Sequence, residues 1–236
     1  MSSPVVIWHD LECGDYRADL PLWRELAATC GDGGVLEVGA GTGRVAIDLA
    51  RAGYSVIALE RDPELAVELS HRCRGLAVEV ISGDACDFAL EERVSLCVVA
   101  MQTVQLFADR PAFLRCAHSA LLPRAVLALA LLGDDAQPFD IELDPDVVER
   151  DGVRYSSWPT ALRRRGDSVL IERRRSAFDG HHESISLDVI TLARLDPATL
   201  ASEGLAAGFS YRGVRLVAAT DQHAGSQVVL LESSGA

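Results

Sequence analysis

Glu37, Gly39, Gly41 and Gly43 stand at alternate positions in the stretch Leu36-Glu37-Val38-Gly39-Ala40-Gly41-Thr42-Gly43-Arg44. Glycines between an apolar strand and a helix let the backbone turn sharply and let a ligand approach without a Cβ in the way. The acid ahead of them is costly to bury without a cationic or N–H partner, so it reads as an acceptor for such a group or as a fixer of the loop. Two cofactor classes use this geometry. In a dinucleotide reading, Gly41-Thr42-Gly43-Arg44-Val45-Ala46 spells G-x-G-x-x-A with Glu60 as the later acid. Its register is poor, because its first glycine stands two residues beyond the first glycine of the turn.

Other residue types capable of chemistry are scattered. Glu60 in VIALERD and Asp84 in SGDACDF follow apolar runs, and a carboxylate accepts readily from two adjacent O–H donors. A helix cap is the competing role for Glu60, although Asp62 already fills it; a plain turn is the competing role for Asp84. His181-His182-Glu183 follows a turn at Phe178-Asp179-Gly180 with no third ligand at useful spacing, so no metal site is expected. His118 falls mid-helix and reads as structural. His9-Asp10 is the pair that could serve as a general base. Cysteines at 13, 30, 73, 86, 97 and 116 form no C-x-x-C pair and suit a reduced compartment.

The elements that must position these residues alternate from Val35 onward. Strands are expected at 35–38, 55–59, 77–81, 94–100 and 125–132, with helices at 42–52, 62–73 and 111–122. This is the pattern of a parallel sheet with crossover helices. Beyond Leu132 the periodicity breaks, and strands expected at 153–158, 161–165, 169–175 and 184–192 suggest an antiparallel insert of roughly 60 residues. A helix from Asp196-Pro197 to about Ala207 and strands at 209–216 and 227–231 close the chain.

With that frame, the glycine stretch resembles motif I of the class I S-adenosylmethionine-dependent methyltransferases, and the resemblance continues along most of the chain. It implies an α/β, Rossmann-like, doubly wound seven-stranded sheet, mostly parallel with a reversed last strand, plus the small antiparallel insert. It also implies S-adenosylmethionine as cofactor and S-adenosylhomocysteine as product. The residues it assigns to the cofactor are Tyr16, Glu37, Gly39, Gly41, Gly43, Glu60 with Arg61, Asp84 with Ala85, Met101 and Gln105. Glu37 would meet the methionine ammonium, Glu60 the ribose hydroxyls and Asp84 the adenine amine. Tyr16 and Trp23 resemble the aromatic segment of small-molecule members, with a pattern similar to glycine N-methyltransferases. Methyl transfer to a nitrogen or oxygen of a small-molecule acceptor is the implied reaction. The catalytic group is left unknown, with His9, Tyr16 and Gln102 as candidates. Residues 1–133 are expected to form an N-terminal lid and the cofactor half of the sheet, 134–193 the insert as substrate cover or subunit contact, and 194–236 the rest of the sheet. Two rivals stand beside this reading: a non-catalytic nucleoside-binding or scaffold protein of the same fold, and an NAD(P)-dependent oxidoreductase, for which the edge after strand four offers no tyrosine or histidine.

Composition narrows the partners. Of 236 residues, 22 are basic and all of these are arginine, so no mechanism can draw on a lysine of this chain. A net charge of −13 argues against nucleic acid and anionic membranes as partners. Within 151–176, seven arginines against three acids reverse that sign, so the insert reads as a solvated face, a homodimer contact or an anionic-substrate contact. The N-terminus lacks the bases of a signal peptide and no apolar run is long enough to span a membrane, so a cytoplasmic location is expected.

Overall fold

The computed structural model describes residues 3–29, 31–133, 136, 139–140, 144–220 and 223–234. Cys30 and the Asp134-Asp135 break lie outside the described residues. In chain order come α1 (Pro4–His9), a π-helical turn (Asp10–Gly14), α2 (Leu20–Thr29), β1 (Val35–Val38), α3 (Arg44–Arg51), β2 (Val56–Glu60), α4 (Pro63–Arg72) and β3 (Val78–Ser82). Next are β4 (Val94–Val99), a 3₁₀ turn (Thr103–Leu106), α5 (Arg110–Ala120) and β5 (Leu121–Leu132). Five strands follow: β6 (Phe139–Asp140), β7 (Asp146–Arg150), β8 (Val153–Arg165), β9 (Ser168–Phe178) and β10 (Glu183–Ala193). The chain ends with α6 (Pro197–Ala206), β11 (Phe209–Val217) and β12 (Ser226–Ser233).

The chain divides into two compact units, Arg17–Asp135 with Leu195–Ala236, and Met1–Tyr16 with Ala136–Arg194. The first unit holds a seven-stranded sheet in the order β11-β12-β5-β4-β1-β2-β3. β1 pairs in parallel with both β2 and β4, whereas β12 runs antiparallel to β5 and β11. The sheet is therefore mostly parallel with one reversed strand. β1 and β4 are buried along their whole length, as their largely apolar sequences, broken by Glu37 and Ser95, suit central parallel strands. Helix starts follow local chemistry: Asp62, Asp109 and Asp196 each accept from backbone N–H groups of the first turn, with proline in that turn. Leu36, Val38, Cys97, Leu127, Phe113 and Leu200 belong to one buried cluster between sheet and helices.

Two differences from the sequence pattern have a clear physical cause. Leu121 and Leu122, expected at the end of a helix, instead begin β5, because Leu121 turns to an extended backbone and pairs with Val94. The strands expected at 153–158 and 161–165 are one strand, β8, with a bulge between Pro159 and Ala161. The proline, which has no N–H to give the ladder, signals that irregularity rather than a break.

The second unit is a five-stranded antiparallel sheet in the order β10-β9-β8-β6, with β7 also paired to β8. Residues 3–16 fold with it. The buried Glu12 of the π-helical turn accepts from Arg175 Nε and Nη2 at 2.7 Å each and from Ser157 Oγ at 2.7 Å. Arg175 Nη1 also donates to Asp188 at 2.9 Å, and its guanidinium lies 5.5 Å from the centre of the Trp8 ring. Glu12→Ala would strip a buried hydroxyl and a half-buried guanidinium of their shared acceptor. It is expected to lower unfolding free energy by about 1–3 kcal/mol, seen as a lower urea midpoint at constant slope. An unmoved midpoint would assign the docking of residues 3–16 to apolar packing alone.

Candidate cofactor site

At the carboxyl end of β1 the chain turns through Gly39, Gly41 and Gly43, all at positive φ, before α3 begins. Gly39 and Ala40 both donate to the carbonyl of Leu59 in β2, at 2.8 and 3.1 Å, which holds the turn against the neighbouring strand. Gly39 is required by space as well as by φ: a Cβ there would stand 2.4 Å from Thr103 Cγ2. One constraint on the turn is thus the loop after β4.

Glu60, at the end of β2, accepts from Gly41 N–H at 2.7 Å through one oxygen and from Asp62 N–H at 2.8 Å through the other. Each oxygen keeps a further lone pair, so Glu60 can fix the glycine turn and still accept from a ligand hydroxyl. Arg61 beside it is exposed. Asp84, after β3, accepts from Cys86 N–H at 2.8 Å and shapes its loop, with Ala85 buried next to it. Both carboxylates therefore shape their turns while keeping lone pairs open to a further donor.

After β4, Met101 has φ 52°, a left-handed backbone that costs a non-glycine residue energy and marks a constrained position. Gln102 caps the 3₁₀ turn, and Gln105, buried within it, accepts from Leu132 N–H at 2.7 Å. Gln105 thereby ties this loop to the end of β5. Tyr16 is buried and His9 ends α1; both belong to the unit that contains the insert, whereas Glu37, Glu60, Asp84 and Met101 lie in the sheet unit.

Glu37 is 2% exposed, and its Oε2 has no hydrogen-bond partner. Burial pushes its carboxyl up to about 8, against the opposing pull of Arg44 and a backbone N–H of Ala46, with Asp19 and Glu60 adding to the rise. A buried acceptor left without a donor suits a cationic or N–H group of a ligand, which is what S-adenosylmethionine would bring. Arg44 is itself committed: its two terminal nitrogens bind both oxygens of Asp19 at 2.5 and 2.8 Å, with both side chains buried. No local pattern singled out Asp19 or Arg44. The available signal was an arginine at the first position of an apolar helix, and its partner lies 25 residues away.

Other candidates have structural partners of their own. His118 contacts Ser234 Oγ at 3.2 Å and the ring of Phe209 edge-on, as a structural histidine. His181 and His182 use their backbone N–H groups on Asp179, in an exposed turn. No group of three metal-binding side chains occurs among the described residues, and none of their helices is long and apolar enough to cross a membrane.

Residues 35–124 match a family model described as a methyltransferase domain. That stretch is a methyltransferase domain. The chain carrying it has the class I S-adenosylmethionine-dependent methyltransferase fold. It is similar to the sugar N-methyltransferase KedS8 from Streptoalloteichus sp, with 17% identity, TM-score 0.80 and coverage of 100% of this chain and 94% of that one. DesVI from Streptomyces venezuelae gives 20% identity, TM-score 0.75 and coverage of 98% and 97%. An amino pentose methyltransferase from Micromonospora echinaspora, CalS10, gives 19%, 0.72 and coverage of 96% and 92%. Over 45 residues the chain is 47% identical to the dimethyladenosine transferase of Saccharomyces cerevisiae, which is 19% of this chain and 14% of that protein.

The raised Glu37 carboxyl makes the domain's stability depend on pH. From about 4.5 to 8 the folded chain keeps a proton that the unfolded chain has released, so stability falls as pH rises. Below 4.5 both states hold the proton and the contribution is complete. Glu37→Gln should remove this slope, so that urea titrations at pH 5 and pH 9 show the wild type losing stability relative to the variant. Parallel curves would place the carboxyl in a polar, solvated setting.

Proposed function

We propose that this chain transfers a methyl group from S-adenosylmethionine to a nitrogen or oxygen of a small-molecule acceptor, with an amine such as that of an amino sugar as the favoured group. The observation that carries the reading is the row of acids Glu37, Glu60 and Asp84 at the carboxyl ends of adjacent parallel strands, above a glycine turn and beside the constrained Met101. Carboxyl edges of open α/β sheets are where ligands bind. The preference for an amine draws on structural relatives that are described as acting on amino sugars and as sugar N-methyltransferases.

In this reading Glu37 Oε2 accepts from the methionine ammonium, Glu60 from the ribose hydroxyls and Asp84 from the adenine amine. The backbone of Gly39, Gly41 and Gly43 leaves room for the ligand, and Arg61, Ala85, Met101 and Gln105 complete its surroundings. When bound, S-adenosylmethionine supplies a methyl made electrophilic by its sulfonium. The chain's task is then to hold the acceptor in line, and positioning of this kind accounts for about 7–11 kcal/mol of barrier lowering. Gln102 is the candidate orienting group at the β4 edge; Tyr16 and His9 remain candidates on sequence grounds. An amine delivered unprotonated needs no obligatory base. The acidic surface and reduced cysteines suit a cytoplasmic enzyme that does not bind nucleic acid.

Thermal melting with S-adenosylhomocysteine tests the cofactor assignment. At about 100 times its dissociation constant the ligand should add roughly 2.7 kcal/mol of stability, and Glu60→Ala should weaken binding by about tenfold or more. No shift, or an equal shift with NAD, overturns the assignment. With an accepted amine in hand, Gln102→Ala should lower turnover while His9→Ala leaves it within about tenfold, some 1.4 kcal/mol. A loss of three orders of magnitude in the His9 variant would show that a base is required and shift the acceptor toward a hydroxyl.

A further inference from the structure

Glu37 is walled by apolar neighbours. On β1 it lies between Ala58 of β2 and Val98 of β4, both fully buried, so neither flanking residue offers it a side-chain donor. α3 offers one: the backbone N–H of Ala46 donates to the carboxyl, in the first turn of a helix whose N-cap, Gly43, has no side chain to cap it. Oε2 is left without a donor. The charged groups around the carboxyl are Arg44 of α3, Asp19 ahead of α2 and Glu60 at the end of β2, and all three are buried. Arg44 binds both oxygens of Asp19, and Glu60 is engaged with the N–H groups of Gly41 and Asp62. Were Glu37 ionised as well, three carboxylates would share one guanidinium out of water. The chain by itself keeps a proton on Glu37 instead.

We propose that cofactor binding displaces this proton: as the cationic end of the ligand reaches Oε2, Glu37 ionises and its proton passes to bulk water. The inference rests on the cofactor reading above, in which Oε2 accepts from the methionine ammonium, and adds the protonation change that binding requires. One positive charge enters as another leaves, so the balance among Arg44, Asp19 and Glu60 is undisturbed. A neutral acid could not replace the carboxylate, because hydrogen bonds between ionised partners are roughly twice as strong as neutral ones.

The ionised form is therefore the one competent to bind, and apparent affinity is reduced by the fraction of chains that carry it. With the carboxyl pushed up to about 8, that fraction is about one in a hundred at pH 6 and about one in ten at pH 7. Affinity for the ligand rises about tenfold over this unit, while the stability of the chain by itself falls. The two trends have opposite signs because ionising Glu37 costs the fold and serves the complex.

Isothermal titration calorimetry with S-adenosylhomocysteine at pH 6 and pH 7, each in two buffers of different ionisation enthalpy, counts the protons exchanged. The ligand's α-ammonium is mostly charged at both values, so a released proton comes from the protein. The wild type should release about one proton per ligand and bind about tenfold more tightly at pH 7. Methylthioadenosine, which keeps the nucleoside and lacks the amino-acid end, should bind with no proton release and with the same affinity at both values. Glu37→Gln, which keeps the shape of the protonated acid, should bind S-adenosylhomocysteine without proton release. Should that variant bind too weakly to titrate, the methylthioadenosine comparison in the wild type decides alone. Binding of S-adenosylhomocysteine to the wild type without release, or release that persists in Glu37→Gln or with methylthioadenosine, overturns the proposal and leaves the cofactor reading standing. Proton uptake also overturns it, since Glu37 would then donate to the ligand's carboxylate. Failure of S-adenosylhomocysteine to bind at either pH overturns both.

Discussion

The sheet unit depends on how buried charge is balanced beneath the glycine turn. Arg44, at the first position of α3, is held by both oxygens of Asp19, and its positive charge also opposes the burial cost of Glu37. Charges taken out of water are tolerated only when paired and hydrogen-bonded. Asp19 satisfies that condition, whereas Glu37 keeps one oxygen unpaired and holds its proton. The start of α3, directly after the turn, is thereby tied to Asp19, just ahead of α2.

Glu60 acts from the side. By accepting from Gly41 and Asp62 it joins the glycine turn of β1 to the start of α4 through one carboxylate. Thr103 sets the opposite limit, since its methyl occupies the space a Cβ at Gly39 would need. The geometry of the edge is therefore shared among the loops after β1, β2 and β4, and the same side chains can hold the protein together while keeping capacity for a ligand. Within the other unit, Glu12 and Arg175 do a comparable task by docking the N-terminal turn on the antiparallel sheet.

Much of the fold was legible because its local signals agree with its tertiary structure. Largely apolar runs, broken by Glu37 and Ser95, became the buried β1 and β4, and Asp-Pro pairs became the starts of α4 and α6. The α5 to β5 junction was misplaced because Leu121 and Leu122 suit either element, and pairing with Val94 decided between them. Pro159 looked like a break because a bulge is a property of two strands, and one strand's sequence carries only half of it.

The candidate site divides in the same way. Glu37, the glycines, Glu60 and Asp84 could be found from sequence because each stands at a fixed offset from its own strand, and strand and turn patterns are local. Their state could not. That Glu37 keeps its proton, that Arg44 closes on Asp19 and that Gln105 is committed to Leu132 follow from groups distant in sequence being packed out of water together. The sequence by itself determined which residues reach the carboxyl edge of the sheet; only the tertiary structure decided their partners and charges, because desolvation and pairing energies depend on what surrounds a group in space rather than on what precedes it in the chain.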